Sequence, residues 1–281
     1  MIVLALGLGI AGLCPVGPTP DGGAAGRRVD LGEATLFIPG GDRPDGGTVD
    51  LVVHLHGAPS VVEPAFIEAR MSGALVEFNR NGLSRVYAEP FADPALFTRL
   101  IDRALAALKP GDGAGPPVLG RLTLSSFSAG FGGVREILKV PEHFARIDTL
   151  VMADSIYAGY AGDPDRREVD PALMEGFRRF ALEAAAGRKT LVITHSAQVP
   201  GGYASTTETA DFLIRDVGGT PEPSDLSWGD GWTQKRRFAR GKLLVLGFDG
   251  AEGADHMRHL RRIATLWEQA GDLRRGVGPS R

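Results

Sequence analysis

Cysteine is almost missing from this chain: Cys14 is the only one in 281 residues, which excludes an internal disulfide and any zinc site built from paired cysteines. Basic charge is not in excess either. Lys and Arg number 31 against 34 Asp and Glu, a formal net charge of -3, so there is no global positive field of the kind that draws in nucleic acid. Long apolar runs are also lacking. The one at the start, Met1 to Leu13, falls short of the ~20 residues that cross a bilayer. Beyond Arg28 no internal repeat and no long low-complexity segment appears.

What is present suits one large α/β domain, since 43% hydrophobic and 23% charged residues supply a substantial core at this length. The apolar start is followed by "PVGPTPDGGAAGRR", which can form neither a helix nor a packed core. Its length is that of the apolar part of a secretory signal, although the basic residues that precede such a part are missing. Residues 1–28 are therefore expected to be a signal peptide or anchor plus a Pro/Gly-rich linker, with residues 29–275 as the domain. Export to the periplasm or outside follows from that reading; a cytoplasmic enzyme follows if the run is not a signal. Leu13 stands where a lipid-attachment signal carries a small residue, so Cys14 is read as a signal-peptide or buried thiol.

Strand-like and helix-like stretches then alternate, the mark of a parallel sheet. "EATLFIP" (Glu33 to Pro39), "VDLVVHLHG" (Val49 to Gly57), "ALVEFN", "IDTLVMADS" (Ile147 to Ser155), "TLVITH" (Thr190 to His195) and "KLLVLGFDG" read as strands. The intervening "EPAFIEARM", "DPALFTRLIDRALAALKPGDG", "STTETADFLIRDVGG" and "DHMRHLRRIATLWEQAG" read as helices, the last with Met257, Leu260, Ile263, Leu266 and Trp267 on one face. The expected fold is α/β, a doubly wound and mostly parallel sheet with helices on both faces. A small lid is expected in the stretch from Ala158 to Lys189, between the strands ending near Asp154 and His195.

One stretch carries chemistry. In "LTLSSFSAGFGGVREIL" (Leu122 to Leu138) a strand reverses directly into a helix, with small residues either side of Ser128 where backbones approach closely. Upstream, His56-Gly57-Ala58 follows a strongly apolar strand; downstream, His256 follows the last one. With that order and setting, the sequence from Val29 to Gly271 resembles the α/β-hydrolase fold of serine esterases and lipases. The resemblance implies Ser128 as nucleophile at a helix start, His256 as general base, and an oxyanion hole from the backbone N–H groups of Ala58 and Ala129. Pro59 has no N–H to offer. Ser126 occupies the place where the family usually has glycine and brings a second hydroxyl.

The acid departs from the family norm. After the next-to-last strand no carboxylate occurs until Glu208, so Asp154, at the end of the preceding strand, is the expected third member, with Glu208, Asp211, Asp249 and Asp255 as rivals. His259 and His195 are rivals of His256 for the base; His54 and His56 are expected to be structural beside the active site, as no metal-ligand spacing accompanies them, and His143 carries no signal; no metal and no organic cofactor is expected. Leu83, Tyr87, Trp228 and Trp232 lie in loops expected at the ligand end of the sheet and are read as substrate-binding. Arg236, Arg237 and Arg240 are read as a solvated face. The function these expectations add up to is cleavage of a small-molecule carboxylic ester through an acyl-enzyme. Acyl transfer on the same fold, or a non-catalytic binding protein, is the alternative.

Overall fold

The computed structural model describes residues 24–40, 47–109 and 115–277; the expected signal and Cys14 lie outside the described residues. Among the described residues ten strands form one sheet: β1 (Gly26–Asp30), β2 (Thr35–Pro39), β3 (Thr48–Leu55), β4 (Ala74–Phe78), β5 (Val118–Phe127), β6 (Thr149–Ala153), β7 (Thr190–His195), β8 (Glu222–Ser227), β9 (Thr233–Arg240) and β10 (Leu243–Phe248). Their order is β1-β2-β4-β3-β5-β6-β7-β10-β9-β8. From β4 to β10 every neighbouring pair is parallel, and antiparallel strands flank this centre on both sides. β1 begins at Gly26, inside the stretch expected as linker, and Arg28 ties it to the buried Glu63.

The central strands are apolar throughout because both faces are covered. Leu51, Val53 and Leu55 of β3 enter one core with Leu122 and Leu124 of β5, whereas Val52 joins the opposite core with Phe127, Val192 and Leu244. The helices are α1 (Pro59–Glu68), α2 (Arg85–Phe91), α3 (Pro94–Ala107), α4 (Phe131–Lys139), α5 (Pro141–Arg146), α6 (Pro171–Ala185), α7 (Thr206–Asp216), α8 (Gly253–Arg261) and α9 (Ile263–Arg275). Buried residues of α3, α4, α6 and α7 build the first core, and those of α1, α8 and α9 the second. No helix among the described residues is long and apolar enough to cross a membrane.

Several expectations change. The stretch expected as a lid gives its second half to α6, whose Met174, Phe177, Phe180, Ala181 and Ala184 are buried against the sheet, so it serves as a crossover helix between two parallel strands. The last helix is two, because Arg262 breaks it with φ -104° and ψ 17°. That bend lets α8 stand at the strand ends while Trp267 of α9 lies under the sheet, its Nε1 donating to Ser125 Oγ at 3.1 Å.

Candidate active site

Three strand ends converge on Ser128. β5 stops at Phe127, and Ser128 takes φ +46° before the chain winds into a 3-10 turn and α4. A non-glycine residue there is strained, and the strain lifts the hydroxyl out of the turn. Asp154, past the end of β6, has φ +44°, and His56, past the end of β3, has φ +67°. Among the described residues, half of the six non-glycine residues with positive φ thus sit at this one place, where strain is expected to cluster if the place is functional.

The side chains connect. His256 Nε2 lies 2.7 Å from Ser128 Oγ, and its Nδ1 lies 2.6 Å from Asp154 Oδ2. Asp154 is fully buried; its Oδ1 accepts the Ser196 N–H at 2.9 Å and the Thr206 hydroxyl. Burial alone would raise its pKa, but the His259 and His256 imidazoles and the Thr206 hydroxyl outweigh it and hold the carboxyl well below the usual carboxylate range. Phe127 stacks on the His256 ring with centroids 4.5 Å apart. The rivals for the acid role are turned elsewhere. Glu208 pairs with Arg167 and caps α7, Asp211 pairs with Arg236, Asp249 accepts the Thr233 N–H, and Asp255 closes a capping box on Glu252.

Ser126 is fully buried, its Oγ 2.6 Å from Ser155 Oγ, which in turn donates to the Ser128 carbonyl at 2.8 Å. It therefore braces the elbow from within. Ala129 is the second residue of the turn, ahead of the first intrahelical hydrogen bond, and Ala58 is the N-cap of α1; both N–H groups belong to the orphan donors of a helix start. Gly130 holds the two segments together, since a Cβ there would come within 2.4 Å of the Leu55 carbonyl oxygen.

Of the four residues read as substrate-binding, two are turned inward. Tyr87 is fully buried and presents no face to a ligand. Its hydroxyl accepts the Arg80 N–H at 2.9 Å, donates to the Arg80 carbonyl at 2.7 Å, and lies 2.6 Å from His56 Nδ1. A carbonyl brings no proton, so the Tyr87 proton goes to Arg80 and His56 donates from Nδ1, which leaves Nε2 as its lone-pair nitrogen. Burial, then the neighbouring His256, push the His56 pKa down to about 4. Trp232 is 1% exposed, stacked on Phe248 at 3.8 Å and edge-on to His259 at 4.9 Å; it packs beneath the site. Trp228 packs edge-on against Trp232 and Phe248, and with Arg237 and Arg262 it lines a groove on the β8–β10 face. Leu83 is 72% exposed on the surface. Of the expected solvated arginines, Arg236 pairs with Asp211 and Arg240 donates to the Val217 carbonyl.

Sequence reasoning missed Thr206, Ser196, Ser155 and His56's tautomer. Thr206 opens "TTETADFLIRD" and reads as an ordinary first-turn residue, so nothing in the sequence points it at Asp154. The other histidines are structural in placement: His54 Nδ1 lies 3.0 Å from Ser125 Oγ, His143 Nε2 lies 3.1 Å from Thr98 Oγ1, and His195 Nδ1 lies 2.8 Å from Thr207 Oγ1. Among the described residues no His/Cys/Asp/Glu group has the arrangement to hold a metal ion.

No family model matches the chain, and no curated protein matches it. Among solved structures, the feruloyl esterase module from Clostridium thermocellum complexed with sinapinate is 12% identical, with TM-score 0.45, over 88% of this chain and 92% of that one. An acetyl xylan esterase from Aspergillus awamori is 13% identical, with TM-score 0.45, over 83% and 98% of the two chains. The acylaminoacyl peptidase of Pyrococcus horikoshii is 16% identical, with TM-score 0.45, over 86% of this chain and 40% of that one. On its own strand order and on the elbow between β5 and α4, this chain has the α/β-hydrolase fold.

Proposed function

We propose that the protein is a serine hydrolase that cleaves a carboxylic ester through an acyl-enzyme. One observation carries the reading: an unbroken chain of short contacts from Ser128 Oγ through both nitrogens of His256 to a buried carboxylate. Ser128 Oγ attacks the ester carbonyl while His256 Nε2 takes its proton, and the Asp154 carboxylate fixes the tautomer and stabilises the imidazolium. The oxygen that gains charge is received by the Ala58 and Ala129 N–H groups, a type of donor worth ~3 kcal/mol of transition-state stabilisation. His256 then returns the proton to the departing alcohol. A water molecule, deprotonated by the same imidazole, releases the acid and restores Ser128.

The test uses a fluorophosphonate probe and a series of p-nitrophenyl esters of increasing acyl length on the intact chain and on Ser128→Ala. Labelling and turnover in the first, with neither in the second, is the expected result. A chain that binds esters without labelling would be a binding protein on this fold. Product analysis with and without an added alcohol separates hydrolysis from acyl transfer.

A further inference from the structure

One buried imidazole is left without a role by this scheme. His259 lies one turn beyond His256 on α8, has no exposed surface, and is enclosed by the edges of Trp232 at 4.9 Å and Phe248 at 5.5 Å. Its Nδ1 is 2.8 Å from Thr194 Oγ1, an oxygen that also receives the Asp154 N–H at 3.3 Å. Its Nε2 has no hydrogen-bond partner and lies 3.9 Å from Asp154 Oδ2. An unpartnered polar atom in a native interior calls for an explanation.

The tautomer follows from the neighbours. Burial pushes the His259 pKa down to about 4, so at neutral pH the ring carries one proton. Were that proton on Nδ1, a lone pair on Nε2 would face the carboxylate across a dry gap, and the two would repel. With the Thr194 hydroxyl donating to Nδ1, the proton sits on Nε2 and its dipole points at Asp154. The distance matters as much as the direction. At 3.9 Å the N–H is too far to take a lone pair of Oδ2 away from His256, yet near enough for its field to be felt in a low-dielectric site.

We propose that His259 is a positioning residue for the triad: its Nε2–H, aimed at Asp154 Oδ2 from outside hydrogen-bond range, steadies the ionised carboxylate and moderates its pull on His256. The inference rests on the triad reading above. Other titratable groups near His259 are committed elsewhere: His195 to Thr207, and Asp255 to the Glu252 N–H and Arg258. His56, which faces His256, is held by Tyr87. Removing the His259 dipole leaves the Asp154 charge less compensated, so it stabilises the His256 imidazolium more strongly and moves the acid limb of the pH–rate profile upward.

The experiment is the pH profile of kcat/KM on p-nitrophenyl acetate for the intact chain, His259→Phe, His259→Asn and His259→Gln, with melting temperatures alongside. A glutamine amide reaches about as far as Nε2 and still offers Asp154 a donor; an asparagine amide reaches only the Nδ1 position. The acid-limb midpoint is expected to rise by up to about one pH unit in the Phe and Asn variants and to return toward the original in Gln. If His259→Phe does not fold, the Asn and Gln pair decides. A midpoint that stays fixed in Phe and Asn while melting temperatures fall makes His259 a packing residue and overturns the proposal. Failure of the triad itself reads differently: Ser128→Ala would keep its turnover and labelling, whatever the His259 variants do.

Discussion

At the residue scale the sharpest question is which carboxylate serves His256. Asp154 accepts from His256, Ser196 and Thr206 at once, whereas Glu208 and Asp249 are spent on Arg167 and on the Thr233 N–H. Asp154→Asn, which cannot hold the imidazolium, is expected to lower kcat by about four orders of magnitude, with Glu208→Gln and Asp249→Asn within severalfold of the intact chain on one activated ester. Near-normal turnover in Asp154→Asn would transfer the role to whichever variant collapses. Ser126→Ala is expected to keep most activity, because its hydroxyl faces Ser155 inside the fold. The turn from β5 into α4 at Ser128 was readable in the sequence because an elbow needs small residues at fixed offsets. The burial of Tyr87 and Trp232 was not. Tyr87 and Trp232 look alike in a sequence whether they face a ligand or a core, and here one orients His56 while the other encloses His259.

At the scale of elements, legibility followed burial. β3, β6, β7 and β10 are covered on both faces and announce themselves as apolar runs. β8 and β9 carry no strand pattern because "EPSDLS" and "TQKRRFAR" are polar; β8 is largely exposed at the edge of the sheet, where charge protects an edge from pairing with other chains. α2 escaped for another reason: it is only seven residues long and contains Pro90. The elbow itself depends on close backbone approach between two elements distant in sequence. Gly130 lies where a Cβ would come within 2.4 Å of the Leu55 carbonyl oxygen, whereas at Gly201 nothing lies within 4 Å. Gly130→Ala is accordingly expected to cost about 1–3 kcal/mol of stability through overpacking. It should also lower kcat/KM by up to about a hundredfold, since the end of β3 and the Ala58 loop must shift against Ser128. Gly201→Ala should change neither. Denaturant unfolding and turnover of the two variants check this, and equal behaviour would mean that β3 yields without moving the site.

At the scale of the whole molecule, the buried ionisable groups set a stability optimum. Burial pushes the pKa of His54 to about 3 and those of His56, His195 and His259 to about 4, against an ordinary 6.5. Between pH 6.5 and about 4 these four imidazoles bind protons in the unfolded chain that they refuse in the native one, so they make stability fall as the pH drops through that window. Asp154 titrates below it. Glu77 acts in the opposite sense. Burial first, and then the neighbouring Glu63, push its pKa up to about 8 from an ordinary 4.5. Its carboxylate oxygens have no donor, while Arg28 is bound to Glu63. As a neutral acid Glu77 can donate to Glu63; as an anion it is buried beside a like charge. Its contribution is therefore complete below pH 4.5 and is lost as the pH rises through 8. From pH 4.5 to 6.5 four imidazoles outweigh one carboxyl, and above 6.5 only the Glu77 arm of the two remains, which places the maximum near pH 6.5. With ~1.4 kcal/mol for each tenfold change in proton affinity, the acid arm amounts to several kcal/mol and the alkaline arm to a fraction of that. Urea unfolding at pH 4.5, 6.5 and 8.5 should show both declines. Glu77→Gln keeps an amide donor for Glu63 but cannot ionise, so it should flatten the alkaline decline and leave the acid one in place. An alkaline decline that survives this substitution would mean that Glu77 is already ionised in the native protein, and that another group carries the loss.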